Sequence, residues 1–294
     1  MRVAANGLEF EVEIEGAATA PPVLLIMGLG MQLVAWPLML VRMLVDAGFR
    51  VIRFDNRDIG LSSKIAAPVK NFTLQALKHR FGFAIHAPYT LREMVDDTRG
   101  LLDALAIERC HVVGVSMGGM IAQGLAAHAP ERVASLASIM STTGARNLTQ
   151  PTLKTSLAVI SRPPSRDRDA LIAHLAKLFK LIGSPGFPTP EAELRERIAL
   201  GVDRSYDPMG TLRQIVAVMA SGDRSEEVRR ISAPTLVLHG RNDPLVRFDH
   251  GEDTARKIRN ARFEVIDGMG HDLAPGVVAR ITPTVIAFLR QHPI

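Results

Sequence analysis

The sequence contains a single cysteine, Cys110, and one thiol excludes an internal disulfide framework. It stands at the head of a β-branched run, so it reads as a buried structural thiol rather than a nucleophile. Long apolar runs are also absent. Val23-Leu-Leu-Ile-Met27 is only a strand's worth, nothing reaches membrane-spanning length, and no membrane insertion is expected. The N-terminus, Met1-Arg-Val-Ala-Ala-Asn-Gly7, lacks the apolar segment of a secretory signal, so the expectation is a cytoplasmic protein. Charge of one sign is scarce as well: the formal net charge is +5 over 294 residues. The basic residues are dispersed or mixed with acids, as in 162–169 and 223–230. Neither stretch interleaves aromatics as a nucleic-acid groove does. Both are expected to be solvated surface, with no nucleic-acid partner. No cluster of His, Cys, Asp and Glu has metal-ligand spacing, and neither metal nor cofactor is expected.

What is present is the balance of a globular chain, 47% hydrophobic and 22% charged, with length enough for a large core. Leu8-Glu-Phe-Glu-Val-Glu-Ile14 alternates apolar and acidic residues, the pattern of a half-exposed strand. Residues 23–27 form a continuous apolar run suited to a strand covered on both faces, ending in Gly28-Leu29-Gly30. A helix is expected over 37–47, a strand over 49–54, and a helix over 91–107 opened by a Thr90/Glu93 capping box. Strands at 110–115 and 133–140 flank a further helix. This alternation predicts an α/β fold, a mostly parallel central sheet with helices on both faces. Residues 63–90 are less regular, basic and aromatic by turns, and suit either a flap or contact surface or a solvated connection. From 141 to 232 the alternation gives way to helices at 171–181, 191–201 and 212–220, which predicts a helical cap inserted into a core of 1–140 and 233–294. Strands at 235–239 and 262–266 and helices at 251–258 and 277–290 complete the core. Leu181, Phe187, Met209, Ile215 and Met219 read first as the cap's own core and second as lining of a hydrophobic pocket.

The chemistry is carried by Gly114-Val115-Ser116-Met117-Gly118, a G-x-S-x-G turn between strand and helix. A Cβ at Gly114 or Gly118 would collide where the turn lifts the serine hydroxyl. A serine is a poor nucleophile at neutral pH and needs a base within hydrogen-bond reach. His271 is the best placed of nine histidines. It follows a strand through Asp267-Gly-Met-Gly270, whereas His111 and His239 belong to strands and His128 and His174 to helices. Asp243, at the end of the preceding strand and stiffened by Pro244, is expected to hold the imidazole tautomer. Asp272 is a weaker candidate, since its neighbour's ring would have to fold back to it; Asp267 and Asp249 are weaker still. The backbone N–H groups of Met117 and Leu29 are the expected oxyanion donors, Leu29 being preferred to Gly28. Gly28 and Gly30 would also suit a plain tight turn.

The chain resembles the α/β-hydrolase-fold serine hydrolases, and within them it is similar to the aclacinomycin methylesterase-like carboxylesterases. The resemblance rests on Met27-Gly28, the Asp55-x-Arg-Asp-x-Gly-x-Ser62 turn, 114–118, Asp243-Pro244 and Gly268-Met-Gly-His271. It spans nearly the whole chain outside 141–232, which it casts as the cap. Leu29 departs from the His-Gly-Gly-Gly type of esterase, which carries a further glycine there. The resemblance implies a serine carboxylesterase with a small-molecule substrate, and the apolar residues available in 141–232 favour a small to medium acyl or alkyl ester over a charged polymer. A serine at 116 argues against the branches of this fold that use an aspartate nucleophile. Lactone opening, perhydrolysis or C–C bond cleavage with the same residues, and a non-catalytic receptor on this fold, stand as alternatives.

Overall fold

The computed structural model describes residues 1–294. Eight strands, β1 (Arg2–Ala5), β2 (Leu8–Glu15), β3 (Pro22–Ile26), β4 (Arg50–Phe54), β5 (Cys110–Val115), β6 (Val133–Ile139), β7 (Thr235–Gly240) and β8 (Arg262–Ile266), form one sheet in the order β1-β2-β4-β3-β5-β6-β7-β8. β1 and β2 pair antiparallel, β2 pairs antiparallel with β4, and every pairing from β4 to β8 is parallel. β1 was not evident from the apolar pattern. The signal it does offer is Asn6-Gly7, whose left-handed φ values of 48° and 74° make the tight turn of a β1–β2 hairpin.

The central strands are apolar throughout because both faces are covered. Strict alternation then sends Leu24 and Ile26 of β3, and Val112 of β5, into one core. Val23, Leu25, Val113 and Val115 go into the other. Helices α3 (Leu91–Ala104) and α4 (Met117–His128) cover the first face, and α1 (Leu38–Asp46) and α11 (Pro275–Arg290) the second. The Thr90/Glu93 capping box opens α3 as expected. Cys110 is fully buried and burial pushes its thiol up to about 12, in keeping with a structural role. The chain crosses from one side of β3 to the other between β4 and β5, so the loops at the carboxyl ends of β3 and β5 flank the crevice where open α/β sheets place their ligands.

Residues 63–90 are more regular than expected. They contain α2 (Phe72–Arg80), opened by the Asn71 side chain accepting the Leu74 N–H at 3.1 Å. Between β6 and β7 run α5 (Leu153–Ile160), α6 (Arg168–Ile182), α7 (Glu191–Arg204), α8 (Pro208–Ser221) and α9 (Ser225–Arg229). α5 and α9 are short and escaped the apolar pattern. The expected internal core of this region needs correction. None of Leu181, Phe187, Met209, Ile215 and Met219 is fully buried, and Met209 is exposed. The region's own small core is instead Ile172, Ala176 and Ile198, where α6 meets α7. α8 turns its buried Ala217 toward the sheet's first core rather than toward α6 and α7.

The stretch 223–230 also differs from the solvated surface expected of it. Arg224 is buried and donates to Met120 O, Gln123 Oε1 and Thr142 O at 3.1, 2.9 and 2.5 Å. Burial holds its guanidinium down to about 10. A run of mixed charge does not reveal which member finds carbonyl acceptors inside. Residues 162–169 are mostly exposed, as expected.

Candidate active site

Ser116 sits between β5 and α4 with φ 55° and ψ −121°, a backbone conformation that non-glycine residues rarely adopt. The neighbouring glycines show what holds it there. A Cβ on Gly118 would lie 2.0 Å from Ile26 O, one on Gly114 2.3 Å from Gly118 O, and one on Gly119 2.6 Å from Ser141 Cβ. The helix start is pressed against β3, and the serine is left facing out of the strained turn. Gly118→Ala is therefore expected to destabilise the fold by about 3 kcal/mol, the upper end of what overpacking typically costs, since rigid backbone must move. A urea midpoint unchanged from wild type would contradict this packing.

His271 Nε2 lies 2.9 Å from Ser116 Oγ, and His271 Nδ1 lies 2.6 Å from Asp243 Oδ2. The other Asp243 oxygen accepts the N–H groups of Leu245 and Val246, both at 2.8 Å. With Asp243 and His271 buried, the carboxylate has one direction left in which to act, toward the imidazole. The competing acids are engaged elsewhere. Asp272 accepts the Ser184 hydroxyl, and burial raises its pKa. Asp249 accepts the Thr149 N–H at 2.7 Å, and Asp267 pairs with Arg241 at 2.6 Å on the surface.

The other strand histidines are packed. His111 meets Ser135 Oγ at 2.8 Å and is held down to about 4 by burial. His239 lies behind Asp243, its Nε2 3.7 Å from Oδ2 but hydrogen-bonded at 2.8 Å to Val246 O. That bond requires Nε2–H, and burial lowers the pKa of this ring, so it stands as a neutral wall.

The loop 268–271 reaches the serine because small residues let it press against the end of α6. His271 N–H donates to Ile182 O at 2.7 Å and Gly270 N–H to Ser184 Oγ at 2.8 Å. A Cβ on Gly270 would lie 2.2 Å from Gly183 O.

On the opposite side, a Cβ on Gly28 would lie 3.2 Å from Ser116 Cβ, which puts the β3 loop directly against the serine. Leu29 N–H donates to no acceptor within the chain. Met117 is the first residue of α4, where an N–H has no acceptor in its own helix. Two backbone donors thus remain free, one just after Ser116 and one in the loop that lies against it.

Residues 55–62 carry a motif whose partners lie far away in the chain. Asp55 accepts the Leu33 N–H and pairs with Arg204 of α7, both at 2.7 Å. Asp58 receives Arg213 of α8 on both oxygens, at 2.8 and 2.9 Å, and the Tyr89 hydroxyl at 2.6 Å. Arg57 pairs with Asp97 at 2.5 and 2.6 Å. Gln214 of α8 accepts the Gly30 N–H and donates to Arg57 O, each at 2.9 Å. α7 and α8 are thereby pinned over the loops that follow β3 and β4, and one glutamine spans both loops. Nothing in the local sequence marks Arg204, Arg213 or Gln214. No group of three or more His, Cys, Asp and Glu side chains is placed to hold a metal ion.

A family model described as alpha/beta hydrolase fold matches residues 21–274. The chain is 29% identical to rhodomycin D methylesterase of Streptomyces sp. (strain C5), covering 93% of this chain and 92% of that one. It is 26% identical to the 2-hydroxy-6-oxo-6-phenylhexa-2,4-dienoate hydrolase of Comamonas testosteroni, over 84% and 79% of the two chains. Among solved structures it is similar to the enol-lactonase from Burkholderia xenovorans LB400, with a TM-score of 0.74 and 25% identity over 99% of this chain and 100% of that one.

Proposed function

Because the chain belongs to the alpha/beta hydrolase fold family, we propose that it is a serine carboxylesterase working through an acyl-enzyme on Ser116. The observation that carries this reading is the unbroken chain of hydrogen bonds from Ser116 Oγ through His271 to Asp243, at 2.9 and 2.6 Å. His271 Nε2 takes the hydroxyl proton as Oγ attacks the ester carbonyl, and Asp243 steadies the imidazolium that forms. The N–H groups of Leu29 and Met117 receive the oxyanion. His271 then returns the proton to the departing alcohol, the Oγ–carbonyl bond persists as the acyl-enzyme, and water cleaves it by the same steps in reverse.

Residues 141–232 serve as a cap over a core formed by 1–140 and 233–294. With α7 and α8 held over the loops beside Ser116, the proposed substrate is a small to medium acyl or alkyl ester, met in the cytoplasm. The likeness to rhodomycin D methylesterase supports an ester of a small alcohol. A second reading, lactone opening by the same steps, draws on the likeness to the enol-lactonase.

A fluorophosphonate probe is expected to add once, at Ser116 by peptide mapping, and to fail with His271→Ala. Hydrolysis of a p-nitrophenyl ester series, set beside a lactone, then separates the two substrate classes. A folded protein that takes no probe would overturn the nucleophile assignment and favour a ligand receptor.

A further inference from the structure

Two segments outside the site share an unusual composition. Residues 59–92 contain Lys64, Lys70, Lys78, Arg80 and Arg92 and no acid, and residues 132–166 contain Arg132, Arg146, Lys154, Arg162 and Arg166 and again no acid. Both also expose large apolar side chains. Leu74 and Leu77 of α2 and Phe81 at its C-terminal cap recur at helical spacing and are exposed, with Phe83 just beyond. On α5, Leu153, Leu157 and Ile160 do the same. The exposures decide the matter: 69% for Phe81, 68% for Phe83 and 75% for Leu153, in a chain whose other aromatic rings are largely covered. The cations beside them have no acidic partner. Lys70, Lys78, Arg80, Arg146, Lys154, Arg162 and Arg166 are all exposed, and none forms an ion pair. The segments touch where Arg146 donates to Gly82 O at 3.3 Å.

We propose that α2 and α5 form a docking face for an anionic lipid surface, with the Leu and Phe side chains entering the headgroup boundary and the Lys and Arg groups on lipid phosphates. Charge chooses the occupant. A symmetric second copy would set these cations against their own images, and no acid lies within either segment to answer them. Apolar groups ringed by free cations are what a negatively charged bilayer surface selects. The face binds without spanning, and no helix is long and apolar enough to cross a membrane. It also adjoins the site: α2 packs on α8, whose Thr211 covers Gly30. An ester partitioned into a bilayer would thus be presented beside Ser116.

The test is co-sedimentation of the whole protein with phosphatidylcholine vesicles, with and without phosphatidylglycerol. Binding is expected to rise at least about tenfold on the anionic vesicles and to fall in about 0.5 M salt. Each basic group near the surface is worth roughly fivefold in partitioning, so K78E/R80E is expected to lose at least about 25-fold. F81S/F83S is expected to lose vesicle binding while hydrolysing a water-soluble ester at the wild-type rate; circular dichroism checks that each variant is folded. Equal binding to both vesicle types, undiminished binding by folded variants, or a dimer dissociated by the same substitutions would each overturn the proposal. It stands apart from the catalytic reading. Vesicle binding without ester hydrolysis sinks only the catalytic reading, and hydrolysis without vesicle binding sinks only the docking face.

Discussion

Ser116→Ala is expected to lower ester hydrolysis by roughly four to six orders of magnitude while leaving the denaturation midpoint where it was. Both halves follow from the geometry. The only hydrogen bond made by the Ser116 hydroxyl is the one to His271, so its loss removes the proposed nucleophile and nothing that holds the fold. The strained backbone at φ 55° carries the same Cβ in serine and alanine, so the turn is no worse off. His271→Ala should cost almost as much, and the double variant no more than either alone, because nucleophile and base act as one unit. Kinetics with a soluble p-nitrophenyl ester read all three. Turnover surviving in Ser116→Ala above the level of a mock purification would remove the serine from the mechanism. Additive losses in the double variant would mean that the two residues act separately.

The parts of this molecule that could be read in advance are those whose physics is local. The strand runs at 23–27 and 110–115 announce themselves because covered strands need apolar residues on both faces. The elbow announces itself because its glycines answer collisions with atoms a few residues away or on the adjoining strand. Thr90 and Glu93 cap a helix in the sequence as they do in space.

What could not be read is what depends on distant partners. Arg213 meets Asp58 across 155 residues and Arg204 meets Asp55 across 149; no spacing rule links them. Arg224 looked like one charge among several, and only the fold supplies the carbonyls that bury it. The exposed face of α2 falls in 63–90, where a contact surface was one of the expectations, whereas α5 is too short to show in the apolar pattern. On both helices the apolar stripe faces outward, and periodicity alone does not say which way a stripe faces. β1 is a different case, since Asn6-Gly7 carried a hairpin signal that went unused.

The choice between Asp243 and Asp272 is the finest distinction within the site, and a pair of isosteric substitutions decides it. In Asp243→Asn the side-chain oxygen can still accept from Leu245 and Val246, so the loop keeps its shape. The amide nitrogen then faces His271 Nδ1 and donates to it, which leaves the ring proton on Nε2, the atom that must accept the Ser116 proton. The ring is held in the wrong tautomer, and kcat is expected to fall roughly 10⁴-fold, the size of the same change in a well-studied triad. His239 cannot substitute, because its Nε2–H is committed to Val246 O at 2.8 Å. In Asp272→Asn the altered group is hydrogen-bonded to Ser184 and makes no hydrogen bond to the imidazole. That variant is expected to retain kcat within about tenfold, its cost falling on stability through the Ser184 contact that also holds Gly270. Single-turnover rates at fixed pH compare the two directly. If Asp272→Asn proved the crippled variant and Asp243→Asn the active one, the acid would have to be reassigned. The free oxygen of Asp243 would then need another purpose for its 2.6 Å approach to the imidazole.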